Sequence, residues 1–495
     1  MTPFLIQPIS AAVLVVFAFV APAVAQESAA KTAWDDLRNF ARQQGVMIAT
    51  QGVTDYGSSL IAQNVRIYHE EDPNAVVITM PEMRIEPRGT ALALIPAAEF
   101  LITLHPDRRT EYLLAVSHNG EIVADVSDDQ ILLDFPFETL AISTIHAMRR
   151  ATALDHSLDL SFDGLNAHID LQRVGDADIR IAADTTRYSF VMSDDSAGNP
   201  SRQVGEAEIN GLSLEFTGHE LDMLSDEPGM LRQAFDAGLF AHFALSAQSS
   251  TGTSEQTLDG NVISVTSTAG PSALNIDIAD GGASAESMTG AGHFSGGMAP
   301  FVGDISFDEV SLSLGGPLIA TPDDQTFYYR FNFENIVASP ETLAIVGAEE
   351  FGGEGITVAL DVSAQGRLTQ DLGAEFGEGD TPPIDITTVS LNRLLTRVGD
   401  AELSGAGTFA FLGGLMASIG QDLPNGTGDF VFELIGGDAF LTRLNALGIV
   451  PPDQQFFARM MMNGLGRPVG EDHLRSEVAI RPGGVITVND APLPF

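Results

Sequence analysis

The sequence predicts an all-β-dominated protein of elongated, curved antiparallel sheets with a few short peripheral helices. Three observations carry that expectation. Apolar residues recur with period two, most clearly in Phe327-Tyr-Tyr329-Arg-Phe331-Asn-Phe333-Glu, where Arg330, Asn332 and Glu334 intervene. Such strands have one face for burial and one for water, as antiparallel sheet requires. Turn-forming residues break these stretches throughout, among them Asp72-Pro73-Asn74, Asn119-Gly120, Asp163-Gly164, Asn210-Gly211 and Pro482-Gly483-Gly484. Helical periodicity is confined to short windows.

The elements follow in chain order. Residues 1–25 contain no charged side chain, and an apolar run from Ile9 to Val20 leads into Ala21-Pro22-Ala23-Val24-Ala25. Small residues at Ala23 and Ala25 fit signal-peptidase cleavage after Ala25. The apolar run is shorter than the roughly twenty residues of a membrane span. The expectation is a signal peptide over 1–25 and a periplasmic mature chain without a membrane span. An uncleaved anchor from Phe4 to Ala25 is the alternative, since the only positive charge of the leader is its terminal amine. Trp34, Leu37 and Ala41 then mark an amphipathic helix, with Asp35 and Asp36 in its first turn and Gly45 as its stop.

Strands are read at Val65-Arg-Ile67-Tyr, Met83-Arg-Ile85-Glu, Leu158-Asp-Leu160-Ser-Phe162 and Ile356-Thr-Val358-Ala-Leu360-Asp-Val362. A helix is read from Met230 to Ala237, stopped by Gly238. Ser339-Pro340-Glu341 reads as an N-cap with proline at the first helical position. A helical pair occupies 438–464: Asp438 caps the first helix, and Pro451-Pro452 opens a second that ends at Gly464. A terminal hairpin pairs Leu474–Ile480 with Val485–Val488. The chain divides into an N-terminal β-rich region, 26–250, and a C-terminal one, 251–495. The polar stretches Ser193–Gln203 and Ser246–Asn261 and the acidic Gly-rich Gly373–Pro383 are the possible boundaries, none of them long enough for an interdomain linker.

Composition excludes several functions. The 495 residues carry 67 acidic against 24 basic side chains, a net charge of −43. Nucleic-acid partners need basic stripes, and anionic bilayers repel such a chain. Lys31 is the only lysine and there is no cysteine, so Schiff-base, P-loop and thiol chemistry are absent. No G-x-S-x-G, H-E-x-x-H or Walker pattern occurs, and no cofactor is expected. His156 and His168 lie beside Asp155 and Asp170, a coincidence expected in so acidic a chain. Paired acids such as Asp323-Asp324 read as solvated loop charge. Phe456, Phe457, Met460 and Met461 read first as a helix face docked on a sheet, and second as an adaptable apolar surface.

One repeated pattern stands out. Thr289-Gly-Ala-Gly-His-Phe294, Ser404-Gly-Ala-Gly-Thr-Phe409 and Asn425-Gly-Thr-Gly-Asp-Phe430 share a polar-G-x-G-x-F motif. In a strand, Gly405, Gly407, Phe409 and Phe411 share a face, as do Gly426, Gly428, Phe430 and Phe432. Glycines beside rings either curve a sheet over a filled core or leave a groove. If a ligand trough exists, it is lined by Phe327, Tyr329, Phe331, Phe333, Phe409, Phe411, Phe430 and Phe432, with Gly405, Gly407, Gly426 and Gly428 leaving room beside the rings.

Several stretches resemble an exported bacterial family designated domain of unknown function 2125. They are Phe327-Tyr-Tyr-Arg-Phe331, Val358-Ala-Leu-Asp-Val-Ser-Ala-Gln-Gly366, Gly399-Asp-Ala-Glu-Leu-Ser-Gly-Ala-Gly407, Leu444-Asn-Ala-Leu-Gly-Ile-Val-Pro451 and Arg459-Met-Met-Met462 with Gly470-Glu-Asp472. Trp34 and Phe235–Ala241 also agree. The resemblance implies export, a β-rich build and a double-membrane host, and brings no catalytic residues. The functional expectation is a non-enzymatic envelope protein that binds a lipid or other apolar ligand on a curved sheet. The alternative is a structural or protein-interaction scaffold with filled sheets and no ligand.

Overall fold

The structure is a computed structural model that describes residues 29–493, except 44, 90, 127–129, 173–174, 195–200, 222–229, 259, 299–300, 346, 373–382 and 419–424. The leader over 1–25 and its cleavage site lie outside the described residues, as do most of the polar stretches around 195–200 and 373–382. Strands make up 67% and helices 13% of the structure, with the sheet antiparallel and the helices few and short. Among the described residues no helix is long and apolar enough to cross a membrane. The chain forms two compact units, 1–219 with 245–264 and 220–244 with 265–495.

In the first unit, helix α1 (Ala29–Gln43) sits where the Trp34, Leu37 and Ala41 spacing places it, and all three side chains are buried. They pack into one core with Leu60, Val65, Ile85, Leu94 and Leu133. The sheet beneath is a run of antiparallel neighbours from Val46–Ala49 through Leu60–His69 and Val76–Arg88. It continues through the long strands Gln130–Arg149, Ser157–Gln172, Ala177–Asp194 and Ser201–His219. The buried cluster lies at the α1 end. Along the same long strands Leu158, Tyr188 and Met192 are exposed.

The second unit is built on nine strands, labelled here β1 (Ser272–Ala279), β2 (Gly282–Thr289), β3 (Glu309–Pro317), β4 (Gln325–Ala338), β5 (Ile356–Leu368), β6 (Ile384–Val398), β7 (Ala401–Phe411), β8 (Gly426–Ile435) and β9 (His473–Arg481). Each pairs antiparallel with the next, so the sheet is one continuous meander. A hairpin of Gly292–Met298 and Phe301–Phe307 is inserted between β2 and β3. Strand β9 pairs on with Val485–Val488, as the terminal-hairpin reading expects.

Among the described residues, four α-helices belong to this unit. Helix α2 (Met230–Ala237) has the bounds read from the sequence, and Gly238 leaves it at φ 104°. Helix α3 (Pro340–Ala344) is capped by Ser339, whose side chain accepts from the Thr342 N–H. Helix α4 (Gly437–Ala446) corrects the expected cap. Asp438 lies in its first turn, and the cap comes from Asp472, whose carboxylate accepts from the Asp438 and Ala439 N–H groups at 2.9 and 3.0 Å. Asp438 instead pairs with Arg459. Helix α5 (Pro452–Leu465) runs past Gly464 and ends at Gly466. A helix interior tolerates a glycine at a modest cost, so Gly464 is no stop.

Candidate functional site: an open apolar sheet face

The register of β3 to β9 assembles one apolar face. On β4, Phe327, Tyr329, Phe331 and Phe333 lie on one side, and the last three stand opposite Leu314, Leu312 and Val310 of β3. Across β4 on the other flank they face Ala364, Val362, Leu360 and Val358 of β5. The face continues through Leu394, Leu391 and Val389 of β6 to Gly405, Gly407 and Phe409 of β7. It ends through Phe430 and Phe432 of β8, with Val478 of β9 opposite Phe430. The two aromatic sets therefore share a face but are not one cluster. Strands β5 and β6 separate them, about 14 Å at the usual strand spacing.

The rings contact their own neighbours along each strand. Tyr329–Phe331 and Phe331–Phe333 meet edge-on at 6.0 and 5.8 Å between centroids. Phe409 and Phe411 do so at 4.8 Å, and Phe430 and Phe432 stack at 6.3 Å. The reverse side of the sheet carries ion pairs as well as the buried Ala359 and Leu395. Arg330 pairs with Asp361 at 3.3 Å, Arg397 with Glu402 at 2.7 Å and Arg475 with Glu433 at 3.3 Å. Alternation thus keeps these ion pairs off the face that bears the rings.

That apolar face is not sealed. Period-two alternation predicts a side for burial at the rings of β4, either over a filled core or along a trough. Here Tyr329 and Leu314 keep 44% and 43% of their surface in water, and Leu312, Phe333 and Leu403 are exposed as well. Phe327, Phe331, Phe411, Phe430 and Phe432 are half-buried, and Phe409 alone among the predicted rings is buried. The extended hydrophobic cluster of the protein lies in the first unit, where α1 covers the sheet.

The glycines behave differently from the expectation. They do not leave empty space beside the rings, because the cross-strand ring lies directly on each of them. A Cβ on Gly405 would stand 2.3 Å from Phe432 Cδ1, and one on Gly407 would stand 2.3 Å from Phe430 Cδ1 and 2.5 Å from the Asp429 carbonyl oxygen. On Gly426 and Gly428 it would meet the Phe409 ring at 2.5 and 2.7 Å. The ring fills the volume that the missing side chain frees, which is why glycine and phenylalanine pair across these strands. The aromatic-glycine half of the face is therefore self-filled, and the β3–β5 half is the open one.

Sequence reasoning missed the aliphatic residues that flank the β4 rings, Leu312 and Leu314, and those that join the two halves, Leu391 and Leu394. The alternation on β6 is broken by a register shift between Leu391 and Leu394, which hides their common side. Their place on the face becomes visible only through pairing with β5 and β7.

The remaining candidates are dispersed. His168 bonds Asp134 at 2.7 Å rather than its sequence neighbour Asp170, and His156 bonds Tyr112 Oη and the Ser193 carbonyl, both at 3.0 Å. His105 and His146 share Glu111, and the bond from His146 first, then that from His105, holds the Glu111 carboxyl below its ordinary value. No group of three metal-ligating side chains stands together among the described residues. A shallow depression of mixed polarity lies at the β1–β2 turn, lined by Asp277, Asp280, Pro317, Gln325 and Thr326, away from the rings of β7 and β8.

The helical pair corrects one further expectation. Phe456, Phe457, Met460 and Met461 are not docked on the sheet: they are 71%, 58%, 53% and 44% exposed. Helix α5 packs instead through the half-buried Ala458, Arg459, Met462 and Leu465. The chain matches no family model, no curated protein and no solved structure.

Proposed function

We propose that this chain is an exported, non-enzymatic envelope protein that holds a lipid acyl chain or a similar apolar ligand on the β3–β5 half of the second unit's sheet. One observation carries the reading: the apolar face around Leu312, Leu314, Tyr329 and Phe333 stays open to water. A sheet with one apolar face is stable when something covers that face, and contiguous apolar patches of several hundred Å² mark binding surfaces. The Arg–carboxylate pairs on the reverse side keep the ligand to the side of the rings. Binding would be driven by apolar burial and fixed by shape, with no proton or electron transfer.

A ligand-free scaffold is the second reading, and the rings seated on Gly405, Gly407, Gly426 and Gly428 favour it for the β7–β8 half. Native mass spectrometry, with lipid extraction of protein from the exported fraction, separates the two. A co-purifying acyl species in stoichiometric amount supports the carrier. A bare chain that also fails to take up a fluorescent fatty acid rejects it. The same spectrum tests export, since the mature chain is expected to start at Gln26.

A further inference from the structure

We infer that the tip of α5 docks on the surface of a neutral, zwitterionic lipid bilayer, inserting Phe456, Phe457, Met460 and Met461 among the lipid headgroups. This goes beyond the ligand reading and does not rest on it. Positions 456, 457, 460 and 461 recur at i, i+1, i+4 and i+5, so they form one stripe along the helix. All four are exposed, and Ile449 before the helix and Val469 after it are exposed beside them in sequence. Soluble chains scatter exposed apolar residues singly, so four large ones on a single helix face mark a contact surface.

The local charge and the free reach of Arg467 fit a phosphate-bearing but neutral surface. The whole chain is at −43, yet between Leu447 and Gly470 the only acid is Asp453, against Arg459 and Arg467. Over this window the stripe therefore meets a bilayer surface without a local excess of negative charge. Arg459 is neutralised from behind by Asp438 and bonds Thr442 Oγ1 at 2.8 Å, so it is held on the packed side of the helix. Arg467 pairs only loosely with Glu477, at 3.6 Å, and remains available to lipid phosphates. Aromatic rings and the flexible thioether chains of methionine suit the half-polar headgroup layer. The proline at each of positions 451 and 452 and the α4–α5 turn hold the stripe rigidly outward, so little conformational freedom is lost on insertion.

The chain has no cysteine, so a single introduced one reports cleanly. Full-length Phe457→Cys, labelled with an environment-sensitive fluorophore, is mixed with phosphatidylcholine–phosphatidylethanolamine vesicles. Labelled Glu255→Cys, on an exposed strand of the first unit, is the control. The expected result is a blue shift at 457 and none at 255. In vesicle flotation, Phe456→Ser with Phe457→Ser should lower the bound fraction at least about tenfold, the scale of losing two ring insertions. Unchanged circular dichroism shows that the variant still folds. An unshifted probe at 457 overturns the inference, even if the chain floats through its first 28 residues. A shift that grows with protein concentration in the absence of vesicles also overturns it, because a second copy would then cover the stripe. Failure here leaves the ligand reading standing, because fatty-acid uptake is measured without vesicles.

Discussion

Replacing Leu314 by Glu discriminates an open face from a closed core. Leu314 stands opposite Tyr329 and keeps 43% of its surface in water. A fully buried leucine is worth about 1.5–3 kcal/mol, so a little over half of that, about 1–2 kcal/mol, is lost on substitution. The new carboxylate reaches water through the exposed part and stays charged. For a unit of this size the melting temperature should fall by about 2–8 °C. Phe409 is the contrast: it is 7% exposed, touches Phe411 and covers Gly426 and Gly428. Phe409→Glu removes a packed ring, a change of about 3–5 kcal/mol, and strands a charge as well. An acyl chain lying over Leu314 would have to desolvate the carboxylate of Leu314→Glu, so its affinity should drop at least about tenfold, or 1.4 kcal/mol. Thermal melts and titration with a fluorescent fatty acid read both quantities. If Leu314→Glu and Phe409→Glu unfold alike, the face is a closed core. If Leu314→Glu binds the probe as the parent does, the ligand lies elsewhere or does not exist.

Three further outcomes are expected. Gly407→Ala brings a Cβ within 2.3 Å of the Phe430 ring and 2.5 Å of a backbone oxygen, so it should destabilise by about 1–3 kcal/mol in a denaturant melt. A variant of parental stability would mean that the ring does not lie on that glycine. Asp472→Ala removes the carboxylate that caps α4 at 2.9 and 3.0 Å, and should cost about 0.5–2 kcal/mol, with amide exchange quickening first at Asp438 and Ala439. For Asp371, burial pushes the carboxyl up, but the bonds from Arg232 and from the Ala320 N–H outweigh it and hold it below the ordinary aspartate value. A depressed folded pKa contributes stability that is present above the unfolded value and lost as pH falls through the folded one. Acid melts of the parent should therefore steepen below about pH 4, and Asp371→Asn should lessen that slope.

The sequence by itself determined the elements whose signal is local. Trp34, Leu37 and Ala41 announce α1 because helical spacing brings them to one side, and Ser339-Pro340 announces α3 because cap and proline act on adjacent backbone. Alternation in Phe327–Phe333 sets which side chains share a face, since the pleat sends every second residue the same way. What lies opposite that face is a matter of pairing between distant segments. Only the tertiary structure decided that Leu314, Val362 and Leu391 join the rings across four strands. It also decided that Phe430 and Phe432 lie on Gly407 and Gly405, filling the space those glycines leave. The cap of α4 comes from Asp472, more than thirty residues downstream, in place of the adjacent Asp438. Helix α5 shows the same limit from the other side: its Phe and Met spacing reads identically for a docked face and a bare one. The difference is whether another element reaches that side, and no local pattern encodes where a neighbour stops.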